Sequence, residues 1–292
     1  MTTPDRRTTP WRPDLASAYL KGVHEAERYT NGTPARIAVA IAPMRPEPSP
    51  DDRSLDTELL FGEAVTVYER HEGWAWVQNA ADDYVGWIAE SALAPIDPRP
   101  THRLAELRSF RYPGPELRAP ALECLSIGSH LTVVGEAETR GTRYALLPDG
   151  SAVIARHLVP IGTHAEDWVA VAERFLGTPY LWGGRSSIGL DCSALVQLAL
   201  DAAGIACPRD SDMQARDLGH ALDISEGLPP LWRGDLVFSK GHVGIMRDGE
   251  TLLHANGYTM TTSSEPLAGA VARIAAAEYG AVTAVRRLDG AA

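Results

Sequence analysis

No apolar run in this chain approaches the roughly 18 residues that a membrane-spanning helix needs, so no membrane partner is expected. Cations are the minority charge: 27 Lys and Arg against 38 Asp and Glu leave a formal charge of −11. Non-specific nucleic-acid binding rests on clustered Lys and Arg, so nucleic acid is not an expected partner either. Met1 to Pro13 is polar and proline-bearing, with no apolar stretch after Arg6 and Arg7, and no signal peptide is legible there. Cysteine is sparse. Cys124, Cys192 and Cys207 are odd in number and lack CxxC spacing, which supports neither a disulfide framework nor a zinc site. No metal or other cofactor is expected, and a reducing cytoplasm is the simplest setting.

What is present suffices for folded domains. Hydrophobic residues make up 45% of the 292 and charged residues 22%, enough for a buried core and a length for about two domains or more. Residues 1–35 form an N-terminal segment in which Leu15, Ala18, Tyr19 and Val23 predict a short amphipathic helix over Asp14–Tyr29. From Arg36 the period changes to short alternating runs, Ala64 to Tyr68, Trp74 to Val77 and Tyr84 to Ile88, punctuated by Gly73 and Asp82-Asp83. A second set follows beyond Pro98 and Pro100. The two sets, residues 36–97 and 98–162, predict two small β-barrels. Residues 163–292 read as an α+β domain, with helices first and antiparallel strands after. Capping boxes are expected at Thr163–Glu166 and Ser211–Gln214.

The most informative stretch runs from Pro179 to Gln197. Gly183, Gly184 and Gly189 lead into Asp191, Cys192 and Ser193, and an apolar run continues to Gly204. This places Cys192 at the start of a buried helix, where the dipole and free backbone N–H groups favour a thiolate. Cysteine hydrolases need a base beside the sulfur and a third group to orient that base. Of the 9 histidines, His242 and His254 lie on predicted strands of this domain. A two-residue Asp248-Gly249 turn would pair 243 with 254 and put the two rings on opposite faces. A three-residue loop, 248–250, pairs 244 with 254 and brings His242, Gly244 and His254 to one face. An odd loop or a bulge is therefore expected, with Gly244 leaving room for packing against the cysteine helix.

The set Tyr180-Leu-Trp-Gly-Gly, Asp191-Cys192-Ser193, Gly234-Asp235-Leu236, His242-Val-Gly-Ile and His254-Ala resembles the NlpC-type papain-like cell-wall peptidases. The resemblance covers about Thr163 to Leu288. Asp56 to Glu63 and Tyr84 to Trp87 are similar to the first bacterial SH3-like barrel of one branch, the γ-D-glutamyl-L-diamino-acid dipeptidyl-peptidases of murein recycling. It implies two small all-β SH3-like barrels followed by an α+β papain-like catalytic domain. By position it implies Cys192 as nucleophile, His242 as base and His254 as orienting residue. Trp182, Asp191, Ser193 and Ser211 become candidates for the pocket that holds the L-Ala–γ-D-Glu end of a murein peptide. Asp56 and Tyr84 match the positions that bind the free amine of L-Ala. The family more often has Glu at the first of these, and Asp56 reaches less far.

Plainer roles compete at several positions. Asp191 serves equally as a helix cap, Ser211 as an N-cap, Tyr84 as barrel core and Trp182 as core packing. Two other functions remain open: an amidase or acyltransferase with the same thiol, and a non-catalytic wall-binding protein in which the barrels hold the ligand.

Overall fold

The computed structural model describes residues 4–51, 54–277 and 279–288. It divides into two units, Met1–Ile161 and Gly162–Ala292. Among the described residues no helix is long and apolar enough to cross a membrane.

The first unit is β throughout apart from short 3-10 turns. Its first five-stranded sheet runs Val85–Ala89, Trp74–Asn79, Ala64–His71, Thr33–Ile37, Leu93–Pro95, and a hairpin of Ile41–Met44 with Thr57–Leu60 completes the set. Glu72 and Gly73, at φ 47° and 83°, connect two of these strands. Positive φ at both central residues is the geometry that suits the right-handed strand twist, which is why glycine punctuates the pattern there. Ile37, Met44, Leu59, Val65, Val77 and Ile88 form one core. A second core contains Leu104, Leu125, Leu131, Val153 and Leu158, under sheets built from residues 102–160. The two are stitched together. Phe61, from the first set of strands, packs into the second core, and its carbonyl accepts the His130 N–H at 2.7 Å.

The helix expected over Asp14–Tyr29 does not form. Leu15–Ser17 pairs in parallel with Arg28–Thr30, and a single 3-10 turn, Ala18–Leu20, lies between them. Tertiary packing overrides the helical period: Leu15 joins a cluster with Trp76, Val85 and Trp87, while Tyr19 and Val23 stay exposed and Gly22 turns the chain at φ 85°. The Arg12 guanidinium lies 4.4 Å from the Trp76 ring centroid and pairs with Asp14 and Glu69, pinning the segment.

In the second unit, helices α1 (Trp168–Glu173), α2 (Cys192–Ala202) and α3 (Ser211–Asp217) precede most of a six-stranded sheet. Its strands are β1 (His220–Ala221), β2 (Leu236–Ser239), β3 (His242–Met246), β4 (Thr251–Asn256), β5 (Thr261–Pro266) and β6 (Val282–Arg287), and α4 (Leu267–Ala275) follows β5. The order is β1-β6-β2-β3-β4-β5, antiparallel throughout. Helix α2 packs on β3 and β4, and α4 on β4 and β5. Two expected caps move. Asp167, not Thr163, caps α1 by accepting the Ala170 N–H at 3.0 Å. Ser211 is the first residue of α3, and the N-cap position falls to Asp210, which makes no side-chain cap.

The β3–β4 hairpin has the odd loop. Ile245 pairs with Leu253 and Met246 with Leu252, and the Arg247 N–H reaches the Thr251 carbonyl at 2.8 Å, leaving 248–250 as a three-residue turn. Asp248 holds that turn by accepting the N–H groups of Glu250 and Thr251, each at 2.8 Å. The room Gly244 leaves is filled from within the sheet rather than by α2: a Cβ there would lie 2.7 Å from a methyl carbon of Leu252. Gly244→Ala is accordingly expected to lower the unfolding free energy by about 1–3 kcal/mol. Adding Leu252→Ala should cost less than the sum of the two changes in urea unfolding, and strict additivity would contradict this packing.

Candidate active site

Helix α2 begins where the loop from Tyr180 to Asp191 closes on itself. Gly184 allows the closure, since a Cβ there would sit 2.7 Å from the Gly189 carbonyl oxygen. Asp191 then fixes the helix start. Its Oδ1 accepts the Ala194 N–H at 2.9 Å and the Ser193 hydroxyl at 3.1 Å, and its Oδ2 accepts the Gly183 N–H at 3.1 Å. Arg209, whose side chain has no exposed surface, grips both oxygens at 3.0 and 2.7 Å. It also donates to Ser193 Oγ at 2.9 Å.

These contacts decide what Asp191 and Ser193 do. Five donors surround two carboxylate oxygens that offer about four lone-pair sites. Asp191 therefore caps the helix start, a role compatible with a ligand contact at the same carboxylate. Ser193 is tied to the same network, and its carbonyl accepts from Gln214 Nε2 at 2.9 Å. Arg209 was not singled out from sequence; a lone arginine after Cys207-Pro208 carries no periodic signal.

Cys192 is buried at this helix start, with the backbone N–H groups of Val243 and Ser193 acting on its sulfur. Val243 follows His242 directly, so the thiol meets β3 beside the first histidine. His242 Nε2 lies 2.8 Å from His254 Nδ1, with the rings 68° apart. His254 is fully buried, and its Nε2 lies 2.8 Å from Glu265 Oε1 on β5. Arg273 of α4 pairs with the same carboxylate oxygen and lies 4.2 Å from the Tyr258 ring centroid.

The proton positions follow from one end. A carboxylate only accepts, so His254 donates from Nε2 and presents a lone pair at Nδ1. His242 must then donate from Nε2, which leaves its Nδ1 unprotonated as the base atom. A cleft of about 440 Å³ opens beside the pair, lined by Tyr180, Asn256, Tyr258 and Tyr279 among others.

The resting charge state differs from the thiolate expected at a helix start. Burial pushes the Cys192 thiol up to about 12 and Asp191 pushes the same way, outweighing the N–H groups and Arg209. Burial also pulls His242 down to about 3, helped by His254 and Arg273. Burial thus works against a standing ion pair at this site and toward the neutral forms of both groups.

The remaining candidates lie elsewhere. Trp182 is 66% exposed, which removes core packing and leaves an aromatic wall free to contact a ligand. Ser211 is half-buried at the start of α3. In the first unit, Tyr84 is 2% exposed within the first β core, so its ring is a core element. Asp56 is held by Arg6, at 2.8 and 3.3 Å. Among the described residues no cluster of His, Cys, Asp and Glu is arranged to hold a metal ion.

A thiol at a helix start, meeting a strand beside a histidine that is hydrogen-bonded to a second histidine, is the residue set of a cysteine hydrolase. Family models match in two places: a bacterial dipeptidyl-peptidase SH3 domain over residues 45–93, and the NlpC/P60 family over residues 177–273. The chain thus carries an NlpC/P60 domain and an SH3 domain of the dipeptidyl-peptidase type. A γ-D-glutamyl-L-lysine dipeptidyl-peptidase of Bacillus cereus is 30% identical, over 63% of this chain and 60% of its own length. One of the same name from Bacillus subtilis is 29% identical, over 70% of this chain and 73% of its own length. An NlpC/P60 family protein from Bacillus cereus shares the fold at TM-score 0.70 and 22% identity, covering 87% of this chain and 99% of that one.

Two measurements check the site. His242 stays neutral in the folded chain well below its ordinary value of 6.5, and His254 is lowered in the same direction. The unfolded chain takes up those protons first, so stability should fall as pH drops from 6.5 toward 3, by up to about 1.4 kcal/mol per pH unit through His242, with His254 adding in the same direction. Urea unfolding of His242→Asn should show a shallower acid decline than the parent, and equal slopes would contradict the assignment. Arg209→Leu strips the counter-charge from Asp191 and should cost about 3–5 kcal/mol in the same assay, with loss of Cys192 reactivity toward iodoacetamide.

Proposed function

We propose that this chain is a cysteine peptidase that cleaves the bond between γ-D-glutamate and an L-diamino acid in free murein peptides bearing N-terminal L-Ala. The observation that carries this reading is the Cys192–His242–His254 constellation at the start of α2. The γ-D-glutamyl-L-lysine dipeptidyl-peptidases it resembles supply the substrate class. The Cys192 sulfur attacks the γ-glutamyl carbonyl while His242 Nδ1 takes the thiol proton. The oxyanion is met by backbone N–H groups at the helix start, each worth about 3 kcal/mol. His242 then gives its proton to the leaving amine, and water cleaves the thioester.

Trp182 and Ser211 are read as contacts to the L-Ala–γ-D-Glu end. Asp56 is the candidate acceptor for a free ammonium. A guanidinium already occupies it, with Arg6 57% exposed and Asp56 14%, so a second cation must compete with Arg6 for that carboxylate. We read the second β core as another SH3-like barrel, built like the first from short antiparallel strands. The odd cysteine count supports a cytoplasmic setting, and with it a role in recycling released peptides.

Incubation with L-Ala–γ-D-Glu–diaminopimelate and with L-Ala–γ-D-Glu–L-Lys should release L-Ala–γ-D-Glu, read by mass spectrometry. Cys192→Ala should abolish the product, and persisting turnover in that variant removes the mechanism. Equal rates on the N-acetylated peptides would remove the ammonium role of Asp56 and leave the chemistry standing.

A further inference from the structure

Two residues outside the expected site close the histidine relay. Glu265 stands on β5, whose Ser263 pairs with His254 across the sheet. Its Oε1 takes both His254 Nε2 and the Arg273 guanidinium. Both side chains are about one quarter exposed, so the pair is only partly wet, whereas His254 has no exposed surface. A carboxylate–arginine pair on a buried imidazole exceeds what orientation alone requires, because the asparagine or backbone carbonyl of a simple orienting contact would hold the ring equally well.

We propose that Glu265 and Arg273 form a balanced pair that sets the proton positions of the relay and the ease with which His242 takes the thiol proton. The proposal rests on the cysteine-hydrolase reading of this site. In the step concerned, the Sγ–H bond breaks and a new N–H bond forms at His242 Nδ1. The Nε2–H groups of His242 and His254 stay where they are. No proton reaches Glu265. The new imidazolium charge is carried next to His254 and is stabilised by the Glu265 carboxylate beyond it. Arg273 opposes that charge. Both histidines are held lower by this arginine, and Glu265 acts to raise His254. Glu265 is a positioning residue, and Arg273 tempers it.

The other groups facing the relay leave these two in control. Cys192 approaches from the α2 side, where Asp191 and Arg209 form their own balanced pair. Tyr279 packs 5.8 Å from His242, Tyr180 lines the cleft, and Tyr258 stacks on Arg273.

The test needs no substrate. Iodoacetamide alkylates the thiolate, so its rate at Cys192 near neutral pH, followed by peptide mass mapping, reads how readily the proton moves to His242. Glu265→Gln should slow alkylation about tenfold, and Arg273→Gln should speed it about tenfold, the size of a one-unit shift in the imidazole. The double variant should lie near the parent. A merely structural role would slow all three, and that result, or no change in any, overturns the proposal. Should a variant not fold, nitrogen NMR of the parent decides alone: both rings must carry hydrogen at Nε2, and His242 protonated at Nδ1 refutes it. Failure of the parent to cleave murein peptides would end the substrate reading while leaving these results intact.

Discussion

A hydrogen bond of 2.8 Å between His242 and His254 is the contact on which the second unit's chemistry depends. It exists because β3 and β4 are joined by three residues rather than two. Side chains alternate faces along a strand, so a one-residue slip would send one ring to the other side of the sheet. Asp248 prevents the slip by satisfying the N–H groups of Glu250 and Thr251 with its own carboxylate, which fixes the longer turn. Met246 and Leu252, directly paired on the same face, join the core that includes Ala270 and Ile274 of α4. Register, turn chemistry and core burial thus agree on one alignment, and the histidine contact follows from it.

Burial decides the electrical state of that contact. A buried imidazole and a buried thiol are each cheaper neutral than charged, because neither finds water to solvate an ion. The helix start alone would favour a thiolate, and its N–H groups do act that way on Cys192, but desolvation and the adjacent Asp191 prevail. Burial thus works against standing charge on either group.

The hairpin and the cysteine helix were legible because each carries a local signal: alternating apolar residues around an Asp-Gly turn, and a glycine-rich loop before an apolar run. β5 carries none: Thr261-Thr-Ser-Ser-Glu-Pro266 shows no alternation of apolar and polar residues. The helical period of α4, through Leu267, Ala270 and Ile274, marks its core face and does not single out Arg273. Glu265 and Arg273 went unread for that reason, since their role comes from the fold bringing β5 beside β4. The N-terminal segment failed in the opposite way. Leu15, Ala18, Tyr19 and Val23 follow a helical period, yet the tryptophans of the first β core claim Leu15 and leave Tyr19 and Val23 in water.

Seen by charge, the site has two ends built alike. At the thiol end Asp191 closes the glycine loop onto the helix, but its charge opposes a thiolate; Arg209 offsets part of that effect from a fully buried position. At the imidazole end Glu265 favours the protonated ring, and Arg273 restrains it. Either carboxylate without its arginine would bias the reactive pair strongly, the first against ionisation and the second toward it. With both pairs intact, the thiol and imidazole lie between two carboxylates, each partly offset by its arginine. A small change at either end can then move the proton balance without disturbing the register that holds the rings together.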